Sequence, residues 1–173
     1  MKYSDIYRLY STSQPKDAIH QALREVSVDD SDEQYEDRSP LHLACQYGDT
    51  EGVKILLERD AEPNTKDANG STPIHILGRT SAGCADEDKL KEIAVVLMEH
   101  GANIPRSAKN TTALIECVRN RHFKMAEAII NSGTRVNSTD LNGENVLFGF
   151  CAASGDIRRD IPVSYTHLRA HET

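Results

Sequence analysis

Histidine is the side chain most often recruited to move protons near neutral pH. Two histidines stand in matched settings here, His42 in Ser39-Pro40-Leu41-His42 and His75 in Thr72-Pro73-Ile74-His75. No Ser or Cys stands beside them at a recognisable nucleophile motif. Two later segments put Ile115 and Phe148 where these carry His. A structural role, bonding the backbone of an adjacent loop, is therefore expected of both.

The four cysteines, Cys45, Cys84, Cys117 and Cys151, show no CxxC or CxH spacing. Neither a zinc site nor a disulfide framework is expected, and a reducing compartment fits them best. Cys45, Cys117 and Cys151 read as small packing residues. Cys84 lies in a polar stretch and is the better candidate for a redox-sensitive thiol. Asp86-Glu87-Asp88 lacks the alternate-residue spacing of a calcium loop and suits the start of a helix. His167 and His171 have the i, i+4 spacing of a helical metal pair but fall in a tail without other structural signals. Nucleotide-binding glycine loops are absent. No catalytic, cofactor-binding or metal-binding residue is expected, and the chain is not expected to be an enzyme.

What positions these residues is a repeat. Ser39-Pro40-Leu41-His42-Leu43-Ala44-Cys45 resembles Thr72-Pro73-Ile74-His75-Ile76-Leu77-Gly78, with Pro40 and Pro73 33 residues apart. Thr112-Ala113-Leu114-Ile115 and Asn145-Val146-Leu147-Phe148 fill the same slot, again 33 residues apart. The longer step between Pro73 and Ala113 contains an insertion, 80–88. A hydroxyl residue followed by Pro is a helix N-cap with Pro at the first turn. Leu41, Ala44 and Cys45 form one apolar face of that helix, and Val53, Leu56 and Leu57 form that of a second. Asp67-Ala68-Asn69-Gly70 and Asp140-Leu141-Asn142-Gly143 are turn signals. Each helix pair is too thin to bury its own apolar face, so neighbours must stack.

A second motif follows each second helix: Ala61-Glu62-Pro63-Asn64, Gly101-Ala102-Asn103-Ile104 and Gly133-Thr134-Arg135-Val136-Asn137. With the Ser/Thr-Pro-Leu/Ile-His openings, it makes residues 35–153 resemble the ankyrin repeat. The resemblance implies an all-α solenoid of stacked antiparallel helix pairs with hairpin-like loops. The expected units are a degenerate N-terminal capping repeat (1–34), a repeat (35–66), a repeat with the inserted loop (67–106), a repeat (107–139) and a truncated repeat (140–160). Residues 161–173 read as a non-native tail, since Pro162 to Thr173 resembles a translated sequencing adapter at the end of a metagenomic fragment.

The formal net charge of −7 disfavours nucleic acid and anionic membranes as partners. Six carboxylates between Asp29 and Asp37 read as a solvated loop. No apolar leader or membrane-length segment is present, so a cytoplasmic monomer is expected. The family resemblance implies a protein partner, bound at the hairpin tips and the concave face of the first helices. Carried over slot by slot, the tips are Lys66, Ala68, Asn69 and Ser71; then Ala108, Lys109 and Thr111; then Leu141, Asn142 and Glu144. The helix positions are Gln46, Tyr47, Arg79, Arg119 and Asn120. Tyr and Arg are common at binding hot spots. The competing expectation is that the stack recruits substrates for a larger enzyme or effector whose catalytic domain lies beyond residue 160.

Overall fold

The computed structural model describes residues 2–80, 86–104, 112–133 and Val146. Among them the regular structure is helical: α1 (Tyr3–Ser11), α2 (Lys16–Glu25), α3 (Pro40–Gln46), α4 (Thr50–Glu58), α5 (Pro73–Arg79), α6 (Glu87–Glu99), α7 (Ala113–Arg119) and α8 (Phe123–Asn131). One 3₁₀ turn, Glu33–Tyr35, lies between the first two pairs. The odd-numbered helices stack in order, α1 on α3, α3 on α5 and α5 on α7. The even-numbered helices form a second layer, α2 on α4, α4 on α6 and α6 on α8. The result is a two-layer solenoid in which each pair shields the next.

Stacking explains a burial pattern wider than one stripe. Pro40 through Cys45 are all buried, because α3 touches a neighbour on either side and its own partner α4. Ser39, Thr72 and Thr112 are extended residues that open α3, α5 and α7, the first two followed by Pro as the Ser/Thr-Pro logic requires. The left-handed residue that ends the first helix is Gly48 in one unit (φ 61°) and Arg121 in another (φ 63°). Only the first is a residue to which that conformation comes without strain.

The N-terminal pair, α1 and α2, stacks on the pair α3 and α4. Ile6, Ile19, Ala22 and Leu23 are buried, while Lys16, Asp17, Gln21 and Arg24 face solvent. Its junction with the first repeat is polar and tight. The Tyr10 hydroxyl donates to Asp49 Oδ2 at 2.9 Å, and His20 Nε2 lies 3.0 Å from Asp49 Oδ1. Gly52 leaves room for this cluster: a Cβ there would lie 2.7 Å from Asp49 Oδ2 and 2.9 Å from the Tyr10 hydroxyl.

The acidic run is more than a solvated loop. At the start of α1, Asp5 Oδ2 accepts the Lys2 N–H at 3.0 Å, and Asp30 Oδ2 accepts the Tyr3 N–H at 2.8 Å from 27 residues away. Asp32 Oδ1 accepts the Gln34 N–H at 2.9 Å and so starts the 3₁₀ turn. The Glu36 carbonyl accepts the Ala68 N–H at 2.8 Å, which fastens one loop to the next. Asp29, Asp37 and Glu33 keep some or all of their surface in water.

Candidate functional site

The histidines are sealed into a seam between units. The Ser39 N–H donates to His42 Nδ1 at 3.1 Å, so Nδ1 is the unprotonated nitrogen. Nε2 therefore carries the hydrogen and donates to the Ser71 carbonyl at 3.0 Å. Burial lowers the His42 pKa to about 4, against a smaller opposing pull from that carbonyl. At neutral pH it is an uncharged brace with both nitrogens committed. Thr72 and His75 repeat the local half of this arrangement, with Thr72 Oγ1 2.9 Å from His75 Nδ1. In the third unit Thr112 Oγ1 accepts the Ile115 N–H at 3.3 Å, so the cap survives without a histidine. Cys45 and Cys117 are fully buried, and burial pushes both thiols well above their ordinary pKa, which makes them inert.

The Asp86–Asp88 carboxylates are spent on the stack. Asp86 Oδ1 caps α6 through the Asp88 N–H at 3.1 Å. Glu87 Oε1 accepts the Phe123 N–H at 2.8 Å, and Asp88 pairs with Lys124 at 2.7 Å. Among the described residues no group of three or more His, Cys, Asp or Glu is placed to hold a metal ion. Nor is any helix among them long and apolar enough to cross a membrane.

A different kind of site lies at the N-terminal end of the odd-numbered layer. Between α1, the 3₁₀ turn and α3 runs an open groove lined by Tyr3, Tyr7, Tyr35, Arg38, Leu43 and Gln46, among others. Tyr7 and Tyr35 pack with ring centroids 4.2 Å apart, and Tyr3 and Tyr35 at 5.7 Å. Tyr10 and Tyr47 stack at 4.9 Å beside them. Five of the chain's six tyrosines thus gather around α1 and α3. Arg38 Nη1 donates to Gln46 Oε1 at 2.9 Å, and its guanidinium also meets Glu36 and, at 3.7 Å, Asp67.

Residues 23–77 match the family model for ankyrin repeats (many copies). The chain carries ankyrin repeats. Over 108 residues, 62% of the chain, it is 34% identical to neurogenic locus notch homolog protein 1 of Mus musculus. Over 48 residues, 28% of the chain, it is 46% identical to the transient receptor potential cation channel subfamily A member 1 homolog of Caenorhabditis elegans. The Homo sapiens member 1 channel is 34% identical over 85 residues, 47% of the chain. The chain spans only 4–7% of the length of these relatives.

In the ankyrin register the expected partner-binding residues separate into groups. Lys66 and Ala68 are exposed at the tip of the second unit, and Asn69 is half-buried beside them. Ser71 is not a tip residue. It is fully buried: its N–H donates to Asp67 Oδ1, its carbonyl braces His42, and its hydroxyl accepts from Arg79 at 3.0 Å. The residue before the helix N-cap is where one unit clamps the next, and exposure ends there. Gln46 and Arg79 occupy the same slot and are half-buried, each bonded back toward its own hairpin. Arg79 also reaches Glu116 of the next unit at 3.2 Å. Tyr47 is half-buried against the core, and Asn120 Nδ2 donates to the Gly78 carbonyl at 3.0 Å. Arg119 is exposed. Ala108, Lys109, Thr111, Leu141, Asn142 and Glu144 lie outside the described residues, as do Cys84, Cys151, Phe148, His167 and His171.

Tyr35, Tyr7 and Arg38 were not among the expected residues. Tyr35 stands 33 residues before Ala68 and is the tip of the first unit. One step back along the repeat would have found it. The turn signal is missing there because Glu36 and Asp37, not Gly, take the left-handed conformation, at φ 60° and 52°.

Proposed function

We propose that this ankyrin stack is a protein-binding module acting as a monomer, with its partner held by the hairpin tips and the exposed ends of the odd-numbered helices. Ankyrin repeats are in general protein–protein interaction modules. One observation carries the assignment to this face. Among the described residues His42, His75, Cys45 and Cys117 are buried inside the stack, whereas Lys66, Ala68 and Arg119 stand exposed along this face. A fold of stacked pairs offers open grooves rather than a closed pocket with convergent polar groups, which favours recognition over catalysis.

The test uses a peptide ligand selected on the whole chain by display. Lys66→Glu with Arg119→Glu is expected to weaken it by about tenfold or more while the denaturation midpoint holds. Lys91→Glu, exposed on α6 in the other layer, is expected to leave binding unchanged. Affinity loss that simply follows the midpoint, or that appears with Lys91→Glu instead, would overturn the assignment.

A second reading has the stack recruit substrates to an enzyme or effector domain in the same polypeptide. It is supported by relatives in which the matched segment is less than a tenth of the length. A catalytic domain downstream in the reading frame would support it, and a stop codon after one or two further repeats would remove it.

A further inference from the structure

The tip around Tyr35 presents something that the other described tip, around Ala68, lacks. Tyr7 and Tyr35 form a half-buried aromatic wall, and Tyr3 stands beside them in the groove with only 1% of its surface exposed. The Tyr3 hydroxyl is buried and has no hydrogen-bond partner. A buried polar atom is rarely left in that state. Burial raises its pKa, so it remains a neutral phenol able both to donate and to accept.

Charge decides what would satisfy it. Glu36 lines the groove, and Glu33 and Asp37 flank its lining residues Gln34, Tyr35 and Glu36 in the sequence. The cation within the groove, Arg38, is already answered by Glu36 and Asp67. An anionic ligand would face Glu33 and Asp37, and an apolar one would leave the phenol unpaired. A cation gains from the acids and from the tyrosine faces together.

We infer that this groove takes an arginine side chain from a basic segment of the protein partner, its guanidinium lying against the Tyr7–Tyr35 wall and donating to the Tyr3 hydroxyl. Arginine suits the site better than lysine, because a planar guanidinium stacks on an aromatic face and still presents several donors. The inference rests on the binding-module assignment and names one partner chemistry for it.

The experiment titrates the whole chain with three synthetic peptides of one length, bearing two arginines, two citrullines or two glutamates among glycines. The chain has no Trp, and three of its six tyrosines, Tyr3, Tyr7 and Tyr35, line the groove, so binding is followed by tyrosine fluorescence. The arginine peptide is expected to bind at least about tenfold more tightly than either control, and to weaken as salt rises. Tyr35→Ala should reduce that binding about tenfold and Tyr35→Phe should largely retain it, since the ring face and not the hydroxyl makes the contact. Tyr3→Phe should weaken it by a few-fold through the lost acceptor. Where Tyr35→Ala alters the circular dichroism, Tyr7→Ala serves in its place. Equal binding of the citrulline or glutamate peptide, or indifference to both Tyr7 and Tyr35, would overturn the inference. That failure is distinct from failure of the module assignment, whose display-selected ligand is tested on Lys66 and Arg119.

Discussion

The seam around His42 and the groove beside Tyr3 both hold polar groups and are built at a unit boundary, yet they are opposites. In the seam Ser39, His42 and Ser71 satisfy one another across two repeats. In the groove one hydroxyl is unspent and two aromatic faces remain partly open. The residues with the more familiar chemistry are thus the structural ones. Capacity to bind follows from what the stack leaves unsatisfied, and that is set by position in the array more than by side-chain type.

The junction between the α1–α2 pair and the α3–α4 pair is a second closed cluster, and breaking it should have the largest effect. Asp49→Ala leaves the Tyr10 hydroxyl and His20 without their shared acceptor, and should cost about 3–4 kcal/mol in urea denaturation. A loss well under half of that would mean water replaces the carboxylate at no great cost. In the seam itself, His42→Ala should cost about 3 kcal/mol, combining a cavity with orphaned Ser39 N–H and Ser71 C=O groups. An unchanged midpoint would show that the seam is not closed.

The same closure fixes a pH dependence. His42 has its pKa lowered to about 4 in the folded chain, below the ordinary histidine value, so the unfolded chain binds more protons between the two. Its contribution is complete above about pH 6.5 and is lost as pH falls toward 4, on the order of 3 kcal/mol in all. Midpoints measured across that range should fall in the native chain and fall less steeply in His42→Leu. Parallel curves would assign the acid sensitivity to other groups. The smallest effect is expected in the groove: Tyr3→Phe removes a hydroxyl that bonds to nothing, and should leave stability within about 0.5 kcal/mol or raise it slightly. A clear loss would reveal a partner for that hydroxyl inside the stack.

Much of the fold was legible because each step of the repeat has a local cause. Ser39-Pro40 and Thr72-Pro73 fix the helix starts by capping, and Leu41, Ala44 and Cys45 fix the buried face by periodicity. The brace made by His42 was legible as well, since the same slot carries Ile115 where no such brace is needed to close the cap. Contacts between residues far apart were not. Tyr10, His20 and Asp49 meet across 29 and 39 residues, and nothing in their local sequence announces it. Ser71 directly follows Gly70 and so reads as a tip residue, but one position decides between the solvated turn and the clamped stretch of backbone before α5. The groove escaped notice because the first tip uses Glu36 and Asp37 where other tips use Asn and Gly, so its register had to come from the stack and not from a motif.

The contrast between seam and groove is tested most directly by one paired titration. The arginine peptide is measured against Tyr35→Ala and His42→Ala at a temperature where both remain folded, with the denaturation midpoint of each recorded alongside. The expected result is a double dissociation: Tyr35→Ala loses about tenfold in affinity with a small change in midpoint, while His42→Ala loses stability and keeps its affinity within about twofold. Affinity that falls with His42→Ala and survives Tyr35→Ala would contradict the division between a closed structural seam and an open binding groove.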